Sequence, residues 1–423
     1  MAHAENVGQL AGHLFRHEAG KMAAVLTRLL GSDRLEVAED IVQDTLIKAM
    51  ETWGFHGIPD NPSAWLYTVA KNKALDFIRS RQRHEKIHSE IAKAVHSEWA
   101  LPASVNQLFL EHEIEDSQLR MMFVTCHPAI PEESQIALTL RTLGGLSVRE
   151  IANAFLSNEE TIQKRIARAK EKLRDEKISL EVPPPHLLAD RIDAVLKVLY
   201  LLFNEGYHPS QSAEEVREDL CEEAMRLTFM LVQNSITCKP KVLALMALMS
   251  FQVSRFDARN GLDGLITLEQ QDRSRWNQKL INQGSSFLEK ASEGNEVSEY
   301  HLEAAIASVH TKAEAFANTN WNQLVVLYDF LYQMKPSPIV ELNRAIAIGY
   351  SQSDQIGLEA LQKISGLESN HFYHAAIGNF YWRLNEHERA MEFYRNALRI
   401  ANTPTDKDFL EKRINEISLE KLT

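Results

Sequence analysis

LSVREIANAFLSNEETIQKRIARAKEKLR, residues 146–174, contains two helix starts ten residues apart. Ser147 with Glu150 and Ser157 with Glu160 each form an S-x-x-E capping box, in which serine accepts from an unpaired first-turn N–H and glutamate reaches back. Val148, Ile151, Ala152 and Phe155 fall on one face of the first predicted helix, and Ile162, Ile166, Ala169 and Leu173 on one face of the second. Two short amphipathic helices joined by a turn at Leu156–Asn158 predict a helix-turn-helix. The outer face of the second helix carries Thr161, Lys164, Arg165, Arg168 and Lys172, a set of donors and cations suited to phosphates and guanine edges in a major groove.

The chain has 423 residues, enough for two to four domains, with 44% hydrophobic and 25% charged residues, as in globular proteins. No apolar run reaches membrane-spanning length, and the N-terminus lacks the basic-then-apolar pattern of a secretory signal. Cys126, Cys221 and Cys238 are widely spaced, with no zinc pattern and no disulfide framework. His127 beside Cys126 has no paired ligands nearby and reads as a packing residue. A cytoplasmic protein without metal or other cofactor is expected.

Net charge is −12, which argues against indiscriminate binding of nucleic acid. Two islands run the other way: Lys71 to Lys86 and Lys164 to Lys177 each carry a net +4. Two basic islands in an acidic chain suit two separate contacts with one polyanion.

The pattern is helical almost throughout, with no convincing strand pair or Asn-Gly hairpin signal, so an all-α fold is expected. A first helical block occupies 8–85, a mixed segment 86–116 reads as a linker, and a second block occupies 117–178. VPPPH at 182–186 then removes backbone donors and fixes φ, marking a boundary before a helical array over 187–423. Within that array, HFYHAAIGNFYWRLNEHERAMEFYRNALRI from His371 places Gly378, Tyr381, Ala390, Tyr394 and Ala397 at tetratricopeptide (TPR) spacing. SPIVELNRAIAIGYSQSDQIGLEALQKI from Ser337 reads as a degenerate neighbour, although ordinary helical hairpins would also fit.

In NPSAWLYTVAKNKALDFIRSRQR, residues 61–83, Leu66, Ala70, Ala74 and Phe77 share one narrow stripe. Trp65, Asn72, Asp76, Arg79 and Arg83 lie on another side, a surface able to hold an unstacked base and its phosphates. Equally, Trp65 could be core and Asp76–Arg79 a local ion pair. Ahead of it, AEDIVQDTLIKAMETW at 38–53 is amphipathic, with Ile41, Leu46 and Met50 placed to face inward and Asp40, Gln43, Asp44 and Lys48 polar.

Taken in order, AEDIVQDTLIKAM, NPSAWLYTVAKNKALDFIRSRQR and the helix-turn-helix resemble extracytoplasmic-function (ECF) sigma factors of the sigma-70 family: domain 2, then domain 4, with no domain 3 between them. LKVLYLLFNEGYHPS at 196–210, LEQQDRSRWNQKLI at 268–281 and PSPIVELNRAIAI at 336–348 resemble the long TPR-like extension of one subgroup. The resemblance covers nearly the whole chain. It implies two small helical sigma domains followed by a TPR-like array, with core RNA polymerase and promoter DNA as partners and no enzymatic role.

By that resemblance, Asp40, Gln43 and Asp44 would dock on the β′ clamp helices. Trp65, Asn72 and Arg79 would melt and hold the minus-ten element, and Lys71, Lys73, Arg81 and Arg83 would contact phosphates. Thr161, Lys164, Arg165 and Arg168 would read the minus-thirty-five element while domain four rests on the β flap. The turn lacks the usual glycine, and Glu159 and Glu160 repel phosphates, so Thr161 and the later cations must lead. The extension is expected to bind a protein partner or the sigma domains and so regulate promoter opening. A rival reading makes Asp272, Arg273, Arg275 and Trp276 an enzymatic site, but no nucleophile–base pair accompanies them and structural ion pairing is the expectation. Another rival, a DNA-binding regulator without polymerase, leaves the clamp-like helix at 38–53 without a role.

Overall fold

The computed structural model describes residues 2–88, 105–154, 157–207, 217–261 and 264–420, and most of these are helical. The helices used below are α1 (Ala2–Leu30), α2 (Leu35–His56), α3 (Pro62–His88), α4 (Glu111–Thr125), α5 (Glu132–Thr142), α6 (Val148–Ala154), α7 (Glu159–Asp175), α8 (Pro185–Tyr207) and α9 (Glu218–Gln233). Next come α10 (Pro240–Val253), α11 (Phe256–Arg259), α12 (Gln278–Ala291), α13 (Glu299–Lys312), α14 (Trp321–Met334), α15 (Pro338–Ser351), α16 (Asp354–Leu361), α17 (His371–Arg383), α18 (His387–Ile400) and α19 (Pro404–Glu420). The all-α expectation holds with one correction. Asn260–Gly261 pairs antiparallel with Gly264–Leu265, a two-residue ladder too short to show as alternation in the sequence. The chain divides into two compact units, Met1–Leu202 with Glu222–Leu231, and Phe203–Cys221 with Val232–Thr423.

In the first unit, α1, α2 and α3 enclose a core that contains Met22, Leu26, Ala38, Ile41 and Trp53. The predicted stripe of α3 lies in it: Leu66, Ala70 and Ala74 are fully buried and Phe77 packs against them. On α2 the inward set differs from expectation. Met50 is 58% exposed, whereas Ala49 and Trp53 are buried, because the helix turns Ala38, Ile41, Val42, Thr45, Ala49 and Trp53 to the core in steps of three and four. The second helical group, α4 to α7, is built on Phe123, Leu138, Ile151, Ile162 and Leu173, each almost wholly buried.

Two expected boundaries move. Of the predicted linker, residues 89–104 lie outside the described residues, and its acidic end is helical from Glu111. Glu111 and Glu113 in the first turn favour the positive end of the helix dipole. The VPPPH run does not close the first unit either. Pro185 begins α8, whose Leu188, Ile192, Val195 and Leu196 are buried, while Arg191 donates to the Phe123 carbonyl. The fixed φ of proline suits a first helical turn, so the run starts a helix rather than a spacer.

In the second unit, α10 packs against α12 and α13, and α14 to α19 follow with each helix packed on the next. The positions read as TPR-like are interior: Tyr381, Ala390, Tyr394 and Ala397 are buried, and a Cβ on Gly378 would lie 3.1 Å from the Tyr394 ring. The poorer preceding pair closes the same way. A Cβ on Gly357 of α16 would fall 2.5 Å from the Gly349 Cα of α15, so both positions accept only hydrogen. Among the described residues no helix is long and apolar enough to cross a membrane.

Candidate nucleic-acid interface

The helix-turn-helix forms, with one cap as read and one displaced. Ser147 Oγ accepts from the Glu150 N–H at 3.2 Å, and Glu150 Oε2 accepts from the Ser147 N–H at 2.7 Å, completing the first box. The second box does not form. Asn158 takes the cap, its Oδ1 accepting from the Thr161 N–H at 2.7 Å. That shift puts Glu160 at the second helical position, one short of the position from which it could reach back, and it pairs with Lys164 at 2.7 Å instead. Leu156, in the predicted turn, lies outside the described residues, as does Phe155.

Helix α7 buries Ile162, Ile166, Ala169 and Leu173, as its periodicity predicts. Lys164, Arg168 and Lys172 are exposed on the opposite side and Thr161 is half-buried beside them. Arg165 is held by Glu133 of α5 at 2.6 Å, which fixes its guanidinium against the preceding helix. Of the four residues expected to read bases, Lys164 and Arg168 are the exposed ones, Lys164 being paired with Glu160 on its own helix.

Helix α3 starts on Asn61, whose Oδ1 accepts from the Ala64 N–H at 3.0 Å. A buried carboxylate fixes its first turns. Glu18 of α1, 3% exposed, accepts from Ser63 Oγ at 3.2 Å, from Lys21 at 3.3 Å and from the Tyr67 hydroxyl. Burial pushes the Glu18 pKa up, but the hydrogen bonds from His17, Tyr67 and Lys21 outweigh it and hold the pKa at about 2. The Tyr67 phenol is driven the other way, by burial and by Glu18. Anchored so, α3 lays Trp65 edge-on to Trp53 at 5.5 Å, with Phe15 at 5.4 Å beyond. Trp65 is half-buried, Asn72, Asp76 and Arg79 are exposed, and Lys71, Lys73 and Arg81 are half-buried. The Arg83 side chain lies outside the described residues. Arg79 sits 3.8 Å from Asp76, and Lys73 is bound to Asp44 of α2 at 2.8 Å.

Asp40, Gln43 and Asp44 are all exposed on α2. Beside them lies a feature that spacing did not reveal: the two helical groups touch. A Cβ on Gly20 of α1 would lie 2.5 Å from the Leu143 carbonyl oxygen, and one on Gly145, at φ 64°, would lie 2.8 Å from the Arg16 carbonyl. Arg16 pairs with Glu150 at 3.0 Å, Lys170 of α7 with Glu39 of α2, and Ser32 donates to the Ile178 carbonyl. A cleft of about 270 Å³ remains between α1, α2 and the 141–145 turn, with Gln43 on its wall. These pairs join residues 131 and 134 apart in sequence, so no local pattern announces them. A glycine in the middle of α1 was the one available signal of a close approach.

Among the described residues, no ion pair holds the motif at 272–276, where structural ion pairing is the expectation. Asp272 caps a short turn, accepting from the Ser274 N–H at 3.0 Å and its hydroxyl at 2.7 Å. Arg273 donates to backbone carbonyls, Arg275 is exposed, and Trp276 is buried. The short side chain of Asp272 satisfies its own turn first and acts on Arg275 only through its charge. His127 accepts from the Ala129 N–H at 3.2 Å, and among the described residues no cluster of three or more metal-ligating side chains occurs.

Residues 14–84 match sigma-70 region 2, residues 120–173 match sigma-70 region 4, and residues 191–292 match a family of unknown function, DUF6596. An uncharacterized protein of Rhizobium meliloti (strain 1021) is 33% identical over 393 residues, 92% of each chain. The ECF RNA polymerase sigma-E factor of Haemophilus influenzae is 29% identical over 157 residues, 37% of this chain and 80% of that one. That of Escherichia coli (strain K12) is 29% identical over 154 residues, 36% and 78% respectively.

Proposed function

We infer the roles of the parts from one premise: the chain belongs to the sigma-70 family, as an ECF sigma factor whose two promoter-reading regions are followed by a long helical extension. It acts as an RNA polymerase sigma factor, directing promoter recognition and transcription initiation.

The observation that supports the finer assignment is the pair of exposed polar faces on α3 and α7. Asn72 and Arg79, with Trp65 held rigidly behind them, form a stacking and hydrogen-bonding surface for bases of the opened minus-ten element. Lys71, Lys73, Arg81 and Arg83 supply phosphate contacts, which set register without reading sequence. Lys164 and Arg168, with Thr161 and Arg165, face the major groove at the minus-thirty-five element. Asp40, Gln43 and Asp44 meet the β′ clamp helices, and the second group rests on the β flap. The cytoplasm is the compartment where these partners meet.

Promoter elements named for positions ten and thirty-five are roughly 25 base pairs apart, about 85 Å at 3.4 Å per pair. Regions 2 and 4 of this chain are in van der Waals contact at Gly20 and Leu143. They must part to span a promoter, and Lys170–Glu39 and Arg16–Glu150 are the contacts released. The free chain is in this reading a closed form, and polymerase stabilises the open one.

The extension regulates that opening through a protein partner or through the sigma regions; it is not an enzyme. Wedging its last TPR-like pair open with Gly378→Trp tests this in the full chain. Promoter output in reconstituted transcription should change, and unchanged output with a demonstrably disrupted extension refutes the regulatory role.

A further inference from the structure

We propose that the aromatic cleft inside the C-terminal unit binds a small, flat, ring-containing organic anion, with the anionic group at the His310 end. This rests on the reading that the extension is regulatory and gives it a ligand.

The cleft has a volume of about 360 Å³, within the usual range for small-molecule sites. One wall is built of rings. Trp321 and Tyr350 stack at 4.5 Å and 18°, and Phe316 stands edge-on to both, at 5.1 and 5.2 Å. Tyr394 and Phe409 line it as well. Such faces favour a planar ring through offset stacking. Asn343 of α15 and Asn379 of α17 contribute amides that can both donate and accept.

The charge is lopsided. His310 lines the cleft with its ring 5.7 Å from Trp321, and its Nδ1 is buried with no hydrogen-bond partner. Burial, then Arg255 and Arg273, depress its pKa to about 3, so the imidazole is neutral at cellular pH. Arg273 donates to the Ala313 carbonyl at 2.6 Å and to that of His310, while its second terminal nitrogen is buried without a partner. Arg255 donates to Gln271 at 3.2 Å and to Gln252 at 3.4 Å. Among the described residues neither guanidinium meets a carboxylate. Both instead lie against Trp276, at 4.7 and 5.6 Å from its ring. Burial lowers the pKa of each, and each also feels a neighbouring guanidinium.

Two desolvated cations without an anion are unfavourable, and an arriving carboxylate would offset that cost. Neither arginine is among the cleft-lining residues; both act on His310, which is, and the charged groups that do line the cleft do not compete for the anion. Arg413 is bound to Glu416 at 2.9 Å, and Glu269 is exposed, its charge acting on Tyr350 and Tyr394.

Equilibrium dialysis of the full chain against indole-3-acetate, indole and tryptamine varies charge on a constant ring. The expected result is saturable one-to-one binding of indole-3-acetate, at least about tenfold tighter than tryptamine, a difference of about 1.4 kcal/mol. Arg273→Gln should reduce indole-3-acetate binding to the level of indole. Asn343 is exposed, so Asn343→Trp should fill the mouth and abolish binding without lowering the melting temperature. No saturable binding of any probe at millimolar concentration, a preference for tryptamine, or undiminished binding by Asn343→Trp overturns the proposal. No DNA or polymerase is present, so failure here leaves the Gly378→Trp transcription test to judge the regulatory reading separately.

Discussion

Gly20→Ala tests the contact between the two sigma regions through the sign of its effect. In an exposed helix interior, replacing glycine by alanine stabilises by about 1 kcal/mol. Gly54, exposed in the last turn of α2, can gain up to that amount, since a Cβ there meets nothing within 4 Å. At Gly20 the new methyl would lie 2.5 Å from the Leu143 carbonyl oxygen and 3.2 Å from its carbon. That is roughly 1 Å inside ordinary contact, and both sides are backbone, so neither can rotate away. Overpacking of this kind costs about 1 to 3 kcal/mol. Subtracting the helical gain leaves Gly20→Ala between neutral and about 2 kcal/mol destabilising, against a gain of up to about 1 kcal/mol for Gly54→Ala. Native-state hydrogen exchange reads both, since it reports local opening free energies. Gly20→Ala should speed exchange across residues 143–151 and Gly54→Ala should not. Equal stabilisation by both, with unchanged exchange at 143–151, would refute the close approach and the closed form with it.

The Glu18 pKa lies at about 2 against an ordinary 4.5, so its stabilisation is fully present above pH 4.5 and is lost as pH falls toward 2. The span corresponds to about 3 kcal/mol, and Glu18→Gln should flatten that part of the acid-unfolding curve. Asn158→Ala should cost about 1 kcal/mol of α7 stability and weaken promoter binding, whereas Ser157→Ala should do little; equal effects in thermal unfolding would contradict the displaced cap. Lys170→Glu and Glu39→Lys should each strengthen binding to core polymerase by loosening the closed form, and the double reversal should return it to normal; additive effects would show the pair is not a latch.

Much of this was legible in the sequence because it depends on neighbours along a helix. The buried stripes of α3 and α7 follow from a 3.6-residue period, and the Ser147–Glu150 box from a three-residue spacing. The second cap was misplaced by one residue because Ser157 and Asn158 are both good caps, and only tertiary fit chooses between them. The amphipathic pattern of 38–53 places Met50 inward, whereas Ala49 and Trp53 carry the contact. The latch from Arg16 to Glu150 and from Glu39 to Lys170 could not be read at all, since long-range pairing leaves no period. Likewise the arginines of 273–275 announced charge without partner. The bonds from Arg273 to the His310 and Ala313 carbonyls, and the approach of Arg255 to Trp276, exist only in the folded chain.

Reconstitution with core RNA polymerase tests the central claim most directly. Purified core enzyme is combined with the full chain, and run-off transcription is measured on promoters of genes induced when the chain is overproduced. The account predicts a stable complex and specific transcripts, weakened by Arg168→Ala and by Asn72→Ala. A chain that neither binds core polymerase nor yields a specific transcript would contradict it.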